Sequence, residues 1–233
     1  MNEYHKINTI FKRDRATNRI VEGDYSCPDL EFLANNIWTW TEKVDGTNIR
    51  VMLKDGGITF GGKTDSAQIP AQLVTRLNER FFPLAAKMLE VFGCDACLYG
   101  EGYGAKIQKG GGNYRKDQDF VLFDVKVGDS WLQRSDVEDV AQKLGLDVVP
   151  IIGEGTLHDA IAAAKEGIVS TWGSFQAEGI VARPKTELKT RNGHRIITKI
   201  KCRDFVGSNA LAQADAACGV SPGAMGSAAS DGR

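Results

Sequence analysis

The sequence predicts an α+β fold in which antiparallel sheets are flanked by helices. The first ground is a series of short, β-prone apolar runs spread along the chain, beginning with Ile37-Trp38-Thr39-Trp40-Thr41 and Ile49-Arg50-Val51-Met52-Leu53. The second is helical periodicity between such runs, where Leu73, Leu77, Phe81 and Leu84 recur at helical spacing. The third is Asp45-Gly46, a tight-turn signal that predicts an antiparallel hairpin between the first two runs, with Lys43 at its root.

In chain order, Ile7-Asn8-Thr9-Ile10-Phe11 leads into a charged turn, Lys12-Arg13-Asp14-Arg15. The predicted lysine hairpin follows, then a third strand at Ile58-Thr59-Phe60 that ends at Gly61-Gly62-Lys63-Thr64-Asp65. From Pro70 the periodic stretch reads as two helices split by Pro83, the second stopping near Gly93. Ala96 to Tyr103 is a strand carrying Glu101. After it, Lys109-Gly110-Gly111-Gly112-Asn113-Tyr114-Arg115 reads either as a mobile surface loop or as one that orders on nucleic acid through Tyr114 and Arg115. Asp119 to Val127 is a strong strand. Ser135-Asp136-Val137-Glu138 has the form of a capping box opening a helix to about Leu144, and Asp147 to Ile151 reads as a strand. Thr156-Leu157-His158-Asp159 caps a further helix to about Glu166. Strands return at Gly179 to Arg183 and Arg195 to Ile200.

Length suits one large domain with a small appendage: residues 1–205, followed by an Ala/Gly/Ser-rich tail over 206–233 with a helix expected near Asn209 to Cys218 and disorder beyond. Apolar residues make up 42% and charged ones 25%, and no apolar run approaches the roughly 20 residues of a membrane span. With no apolar leader at Met1 and five scattered cysteines, the expectation is a cytoplasmic protein with reduced thiols. Cys94 and Cys97 have zinc-knuckle spacing but no second pair to complete four ligands, so they read as two half-buried thiols.

The net charge of −1 announces no nucleic-acid partner. Locally, however, Arg183, Lys185, Lys189, Arg191, Arg195, Lys199, Lys201 and Arg203 face a single acid, Glu187, a stripe suited to a phosphate backbone or a triphosphate. Lys199 and Lys201 flank Ile200 on a strand, so both point to one face.

Five motifs occur in order: Glu42-Lys43-Val44-Asp45-Gly46-Thr47-Asn48, Leu98-Tyr99-Gly100-Glu101-Gly102, Phe120-Val121-Leu122-Phe123-Asp124-Val125, Glu178-Gly179-Ile180-Val181 and Thr198-Lys199-Ile200-Lys201. Each places charge in or beside a β-prone run, where an uncompensated charge is costly. Together they resemble the covalent nucleotidyltransferase superfamily of polynucleotide ligases and capping enzymes, most closely the ATP-dependent RNA ligases of phage and bacteria. The resemblance covers about Met1 to Phe205. It implies the nucleotidyltransferase fold, without the OB-fold domain of DNA ligases and capping enzymes.

The resemblance also implies a set of roles. Lys43 would attack the α-phosphate of ATP, the AMP donor, to form a lysyl-AMP; AMP would pass to an RNA 5′-phosphate; a 3′-OH would then displace it. Such an amine must be neutral, and with a reference pKa near 10.4 only about one molecule in 2,500 is so at pH 7. Lys199, Lys201 and a divalent ion, Mg²⁺ or Mn²⁺, would favour that form and grip the phosphates. Glu178 would be the metal-side carboxylate, Glu101 the acceptor from a ribose hydroxyl, and Phe123 the ring stacked on adenine. Asn48 would contact the nucleotide and metal site, and Glu42 belongs to the nucleotide-binding motif. Lys63 stands where relatives usually carry arginine, which keeps the charge but loses the bidentate fork. The implied partners are RNA ends, free or in a nicked duplex, and a protein that supplies a C-terminal domain. The competing readings are a DNA nick-joining ligase, a guanylyl-transferring capping enzyme, and a non-enzymatic module that binds nucleotide or nucleic-acid ends.

Overall fold

The computed structural model describes residues 3–206. Its strands and helices in chain order are β1 (Asn8–Thr9), β2 (Phe11–Arg13), β3 (Ile20–Tyr25), α1 (Pro28–Phe32), β4 (Trp38–Glu42), β5 (Thr47–Lys54), β6 (Gly57–Gly61), α2 (Ala71–Phe81), α3 (Ala85–Phe92), β7 (Ala96–Gly104), α4 (Gly111–Tyr114), β8 (Gln118–Val127), β9 (Ser130–Trp131), α5 (Arg134–Leu144), β10 (Ile151–Gly155), α6 (Leu157–Glu166), β11 (Gly179–Pro184) and β12 (Thr198–Lys201). One five-stranded sheet has the order β1-β12-β11-β4-β10, antiparallel except where β1 runs parallel to β12. A second, β6-β5-β7-β8-β9, is antiparallel throughout. The class is α+β, as expected.

Each sheet has its own core. The first buries Trp38, Ile180, Ala182 and Ile200 against Leu30 of α1 and Leu157, Ala160 and Ile161 of α6. The second buries Ile49, Val51, Leu98, Phe120 and Leu122 under Leu73, Leu77 and Phe81 of α2, Met88 of α3 and Val137, Val140 and Leu144 of α5. The periodic residues of α2 are thus core residues. As expected, Pro83 ends that helix in a 3₁₀ turn, Phe82–Leu84, and Gly93 (φ 64°) closes α3. The Thr156–Asp159 capping box forms with both reciprocal hydrogen bonds. Among the described residues, no helix is long and apolar enough to cross a membrane.

The lysine hairpin is not formed. β4 lies between β11 and β10 in the first sheet, while β5 lies between β6 and β7 in the second. The Lys43–Gly46 segment therefore carries the chain from one sheet to the other. Gly46 is demanded by proximity, since a Cβ there would sit 2.2 Å from the Gly102 carbonyl oxygen. The actual two-residue hairpin is Asp55-Gly56, with φ of 49° and 76°, joining β5 to β6 as a type I′ turn requires.

Other boundaries differ as well. α5 begins one residue before Ser135, and Ser135 makes no cap; Arg134 instead pairs with Glu138 one turn on, at 2.7 Å. The strand expected over 147–151 is a single bridge, Leu122 to Val148, and β10 starts only at Ile151. Cys94 is exposed and Cys97 is buried in β7, rather than both being half-buried; with Cys27 and Cys202 they are free thiols. The Ala/Gly/Ser-rich tail, with the helix expected near Asn209 to Cys218, lies outside the described residues.

Candidate functional site

The site forms where the two sheets meet. β11 is the strand between β4 and β12, with Ile180 opposite Glu42 and Gly179 opposite Lys201. This register brings Lys43, just past β4, and Lys201, at the end of β12, to either side of Glu178, just before β11. The Lys43 Nζ lies 2.6 Å from Glu178 Oε2, and the Lys201 Nζ lies 2.7 Å from Oε1. Gly179 makes this possible: its φ is 153°, and a Cβ would stand 2.0 Å from the Ile200 carbonyl oxygen. The Lys43 backbone N–H donates to Gly179 O at 2.9 Å, so the segments carrying Lys43 and Glu178 are locked together by the main chain.

The second sheet supplies the opposite wall. Asn48 of β5 faces Glu101 of β7 across the strand pair. Phe123 owes its orientation to a β-bulge: Asp124 pairs with Tyr99 and Leu122 with Gly100, leaving Phe123 as the extra residue. It is half-buried, faces the cleft, and meets Tyr4 edge-on with ring centroids 5.1 Å apart. Lys43, Asn48, Lys63, Glu101, Phe123 and Lys199 all line one cavity of about 360 Å³. Lys63 is exposed at its rim.

The electrostatics follow from crowding three carboxylates and several lysines into this space. Burial, opposed by Lys43 and reinforced by Glu178 and Asp45, pushes Glu101 up to about 8. Glu178 is also penalised by burial, but Lys43 and Lys201 outweigh that and hold it below the usual carboxylate range. Lys199 is lowered by burial and then by Lys201, Lys43 and Lys63. The Asn48 Oδ1 is buried without a hydrogen-bond partner, an acceptor left open in the cavity wall. The donors here are all oxygens, from Glu178, Glu101, Asp45 and Asn48, which suits a hard divalent ion. Among the described residues no three His, Cys, Asp or Glu converge as a ready metal cage, so such an ion would need oxygens from its ligand too.

The basic stripe divides. Arg183 and Arg195 turn inward and bond the fully buried Asp124 at 3.0 and 2.6 Å, where the Tyr4 hydroxyl also donates at 2.8 Å. Arg195 lies over the Trp131 ring and also pairs with Glu187. Lys185 pairs with Glu154 at the surface. Of the stripe, Lys199 and Arg183 line the cavity and Lys201 reaches Glu178, but Arg183 is tied to Asp124, since buried cations need anionic partners. The N-terminal lead-in packs against the site, with Tyr4, His5, Lys6 and Ile7 lining the cavity. Burial and then Arg195 push His5 down to about 4. In the charged turn, Lys12 pairs with Asp24 and Arg13 with Asp204.

Two features escaped sequence reasoning. Glu42 is 1% exposed, and its carboxylate accepts from Ser170 Oγ at 2.6 Å and from the Thr171 N–H and Oγ1 at 2.8 and 2.9 Å. The glycine loop is a short helix, α4, neither free nor presenting Tyr114 outward: Tyr114 is buried, and Arg115 pairs with Asp117 and Asp119. The Glu42 link had no signal in the sequence because it joins residues 128 positions apart, and the buried Tyr114 hydroxyl likewise accepts from the Asp45 N–H, 69 positions away.

The RNA ligase family model matches residues 36–201 of this chain. No curated protein matches it. Among solved structures, an apo point mutant of Naegleria gruberi RNA ligase has 22% identity and a TM-score of 0.59, over 78% of this chain and 54% of that one. A mutant of the same ligase with ATP and Mn has 21% identity and a TM-score of 0.60, over 78% and 54%. A third, with AMP and Mn, has 20% identity and a TM-score of 0.60, over 88% of this chain and 59% of that one. The chain thus spans little more than half the length of these proteins, and the likeness to them is one of fold. The family match covers most of the chain and includes every residue of the cleft described above from β4 to β12, so the protein belongs to the RNA ligase family.

Proposed function

We propose that the protein is an ATP-dependent RNA ligase acting through a lysyl-AMP on Lys43. The observation that carries this is the Lys43–Glu178–Lys201 arrangement, whose Lys43 shares one cavity with Glu101, Asn48 and Phe123. A module that only binds nucleotide has no use for an amine held at that point.

In the first step, the neutral Lys43 amine attacks the α-phosphorus of ATP. A P–N bond forms, the bond to the pyrophosphate oxygen breaks, and the amine gives up a proton. Before attack, the Lys43–Glu178 ion pair must open, and the second Glu178 oxygen, already bonded to Lys201, keeps the carboxylate in place meanwhile. Lys199, with no carboxylate partner at bonding distance among the described residues, is available to a phosphate oxygen, and Lys63 at the rim adds charge. Phosphoryl transfer depends chiefly on positioning and charge neutralisation, which these side chains supply. Phe123 stacks the base, while Glu101 and Asn48 accept from the sugar. The AMP then passes to an RNA 5′-phosphate, and a 3′-OH displaces it. Mn accompanies the nucleotide in the Naegleria structures, and the oxygen donors here, Glu178 foremost, would hold such an ion; bound there, it would neutralise phosphate charge.

The test is incubation with α-labelled ATP and Mg²⁺ or Mn²⁺, followed by a denaturing gel and intact mass. Wild-type protein is expected to carry one AMP, and Lys43→Ala none. A labelled Lys43→Ala protein would overturn the assignment. Nicked substrates with RNA or DNA at the 3′-OH end then distinguish RNA from DNA joining.

A further inference from the structure

The residues on both sides of Lys43 are gripped by two segments that take no part in the chemistry described above. Upstream, Glu42 is fixed by three hydrogen bonds from Ser170 and Thr171. Downstream, the Asp45 N–H donates to the Tyr114 hydroxyl at 3.2 Å, and the Gly46 carbonyl accepts from Gln108 Nε2 at 3.0 Å. The two gripping segments also hold each other. The Tyr114 ring meets Trp172 at 5.7 Å and Phe175 at 4.9 Å, edge to face in both cases. The Trp172 backbone N–H in turn donates to Ser170 Oγ at 3.1 Å, and the Ser170 backbone N–H to Phe175 O at 2.8 Å, which closes that loop on itself. Val44, between the gripped positions, is buried in the same aromatic cluster.

We infer that Tyr114, together with the Ser170–Phe175 loop, is a positioning brace that sets the register of Lys43 for attack. The Lys43 segment is a crossover between sheets, so no strand partner holds Val44 or Asp45. The brace stands in for the missing ladder. Its hydrogen bonds go to the backbone of Asp45 and to the Glu42 side chain, Gln108 adds one to the Gly46 carbonyl, and none goes to Lys43 Nζ. It acts through the nucleophile's placement and leaves its charge partners alone.

This inference rests on the ligase reading, and its test separates the two. Tyr114→Phe removes only the hydroxyl and keeps the ring packing. At saturating ATP, lysyl-AMP formation is expected to slow about ten-fold, in line with the cost of displacing a reacting group by under 1 Å, with KM for ATP unchanged. Sealing of an RNA strand supplied already adenylylated, where Lys43 is no longer the nucleophile, is expected to proceed at the wild-type rate. Ser170→Ala, which frees one Glu42 oxygen, should show the same split. Equal slowing of both reactions, a change in KM alone, or no change would overturn the positioning role. Wild-type protein that forms no lysyl-AMP at all would overturn the ligase reading itself, and the brace with it.

Discussion

Replacing Asp124 by asparagine tests whether half of the basic stripe is architecture. The Asp124 side chain is fully buried and accepts from the Tyr4 hydroxyl, from Arg183 and from Arg195. Asparagine keeps the shape and one acceptor oxygen but removes the negative charge bonded to both guanidinium groups. Breaking a buried ion pair from one side costs about 3 kcal/mol or more, because the other charge is left uncompensated. In a chain of this size each kcal/mol moves the melting temperature by about 2–4 °C, so Asp124→Asn is expected to melt about 6–12 °C below wild type. The control is Lys12→Ala, whose pair with Asp24 is 2.6 Å long but roughly half exposed on both sides. A surface pair of that kind contributes at most about 1 kcal/mol, a shift of only a few degrees. Thermal unfolding followed by circular dichroism measures both. If Asp124→Asn melts with the Lys12→Ala control, the buried network carries no stability and the account of Arg183 and Arg195 is wrong.

Two further outcomes are expected. Glu101 sits at about 8 when folded against an ordinary 4.5, so between those pH values the folded protein retains a proton that the unfolded chain has lost. Its stabilising contribution is complete below that window and declines as pH rises through it; urea unfolding at several pH values should show the decline flattened in Glu101→Gln. Phe123→Leu should raise KM for ATP about five-fold, the worth of ~1 kcal/mol of ring stacking, while leaving the fold intact because Phe123 lies at the cavity wall and not in either main core.

Much of this was legible locally. β7 and β8 are nearly continuous apolar runs, the helical stripe of α2 ends at a proline, and the α6 capping box names its own start. The candidate residues were legible as an ordered set: Lys43, Glu101, Phe123 and Lys199 line one cavity, and Glu178 and Lys201 join it through their ion pairs. What failed was whatever depends on partners distant in sequence. Asp45-Gly46 and Asp55-Gly56 are the same dipeptide, yet only the second is a hairpin, because strand pairing elsewhere decides which sheet β4 joins. That Phe123 faces the cleft depends on the bulge against Gly100, which no local pattern shows. Arg183 and Lys199 look alike in a charge run until Asp124, on another sheet, claims one of them.

The crossover at Lys43–Gly46 has a further consequence. Lys43, Glu178, Lys199 and Lys201 all hang from the first sheet, whereas Asn48, Glu101 and Phe123 hang from the second. On the proposed reading, the machinery for bond making and the template for the nucleoside are carried by separate slabs with separate cores. Nucleotide preference can therefore be redesigned on β5, β7 and β8 without touching the strands that aim the lysine, as one would exchange the jaw of a vice and keep its screw.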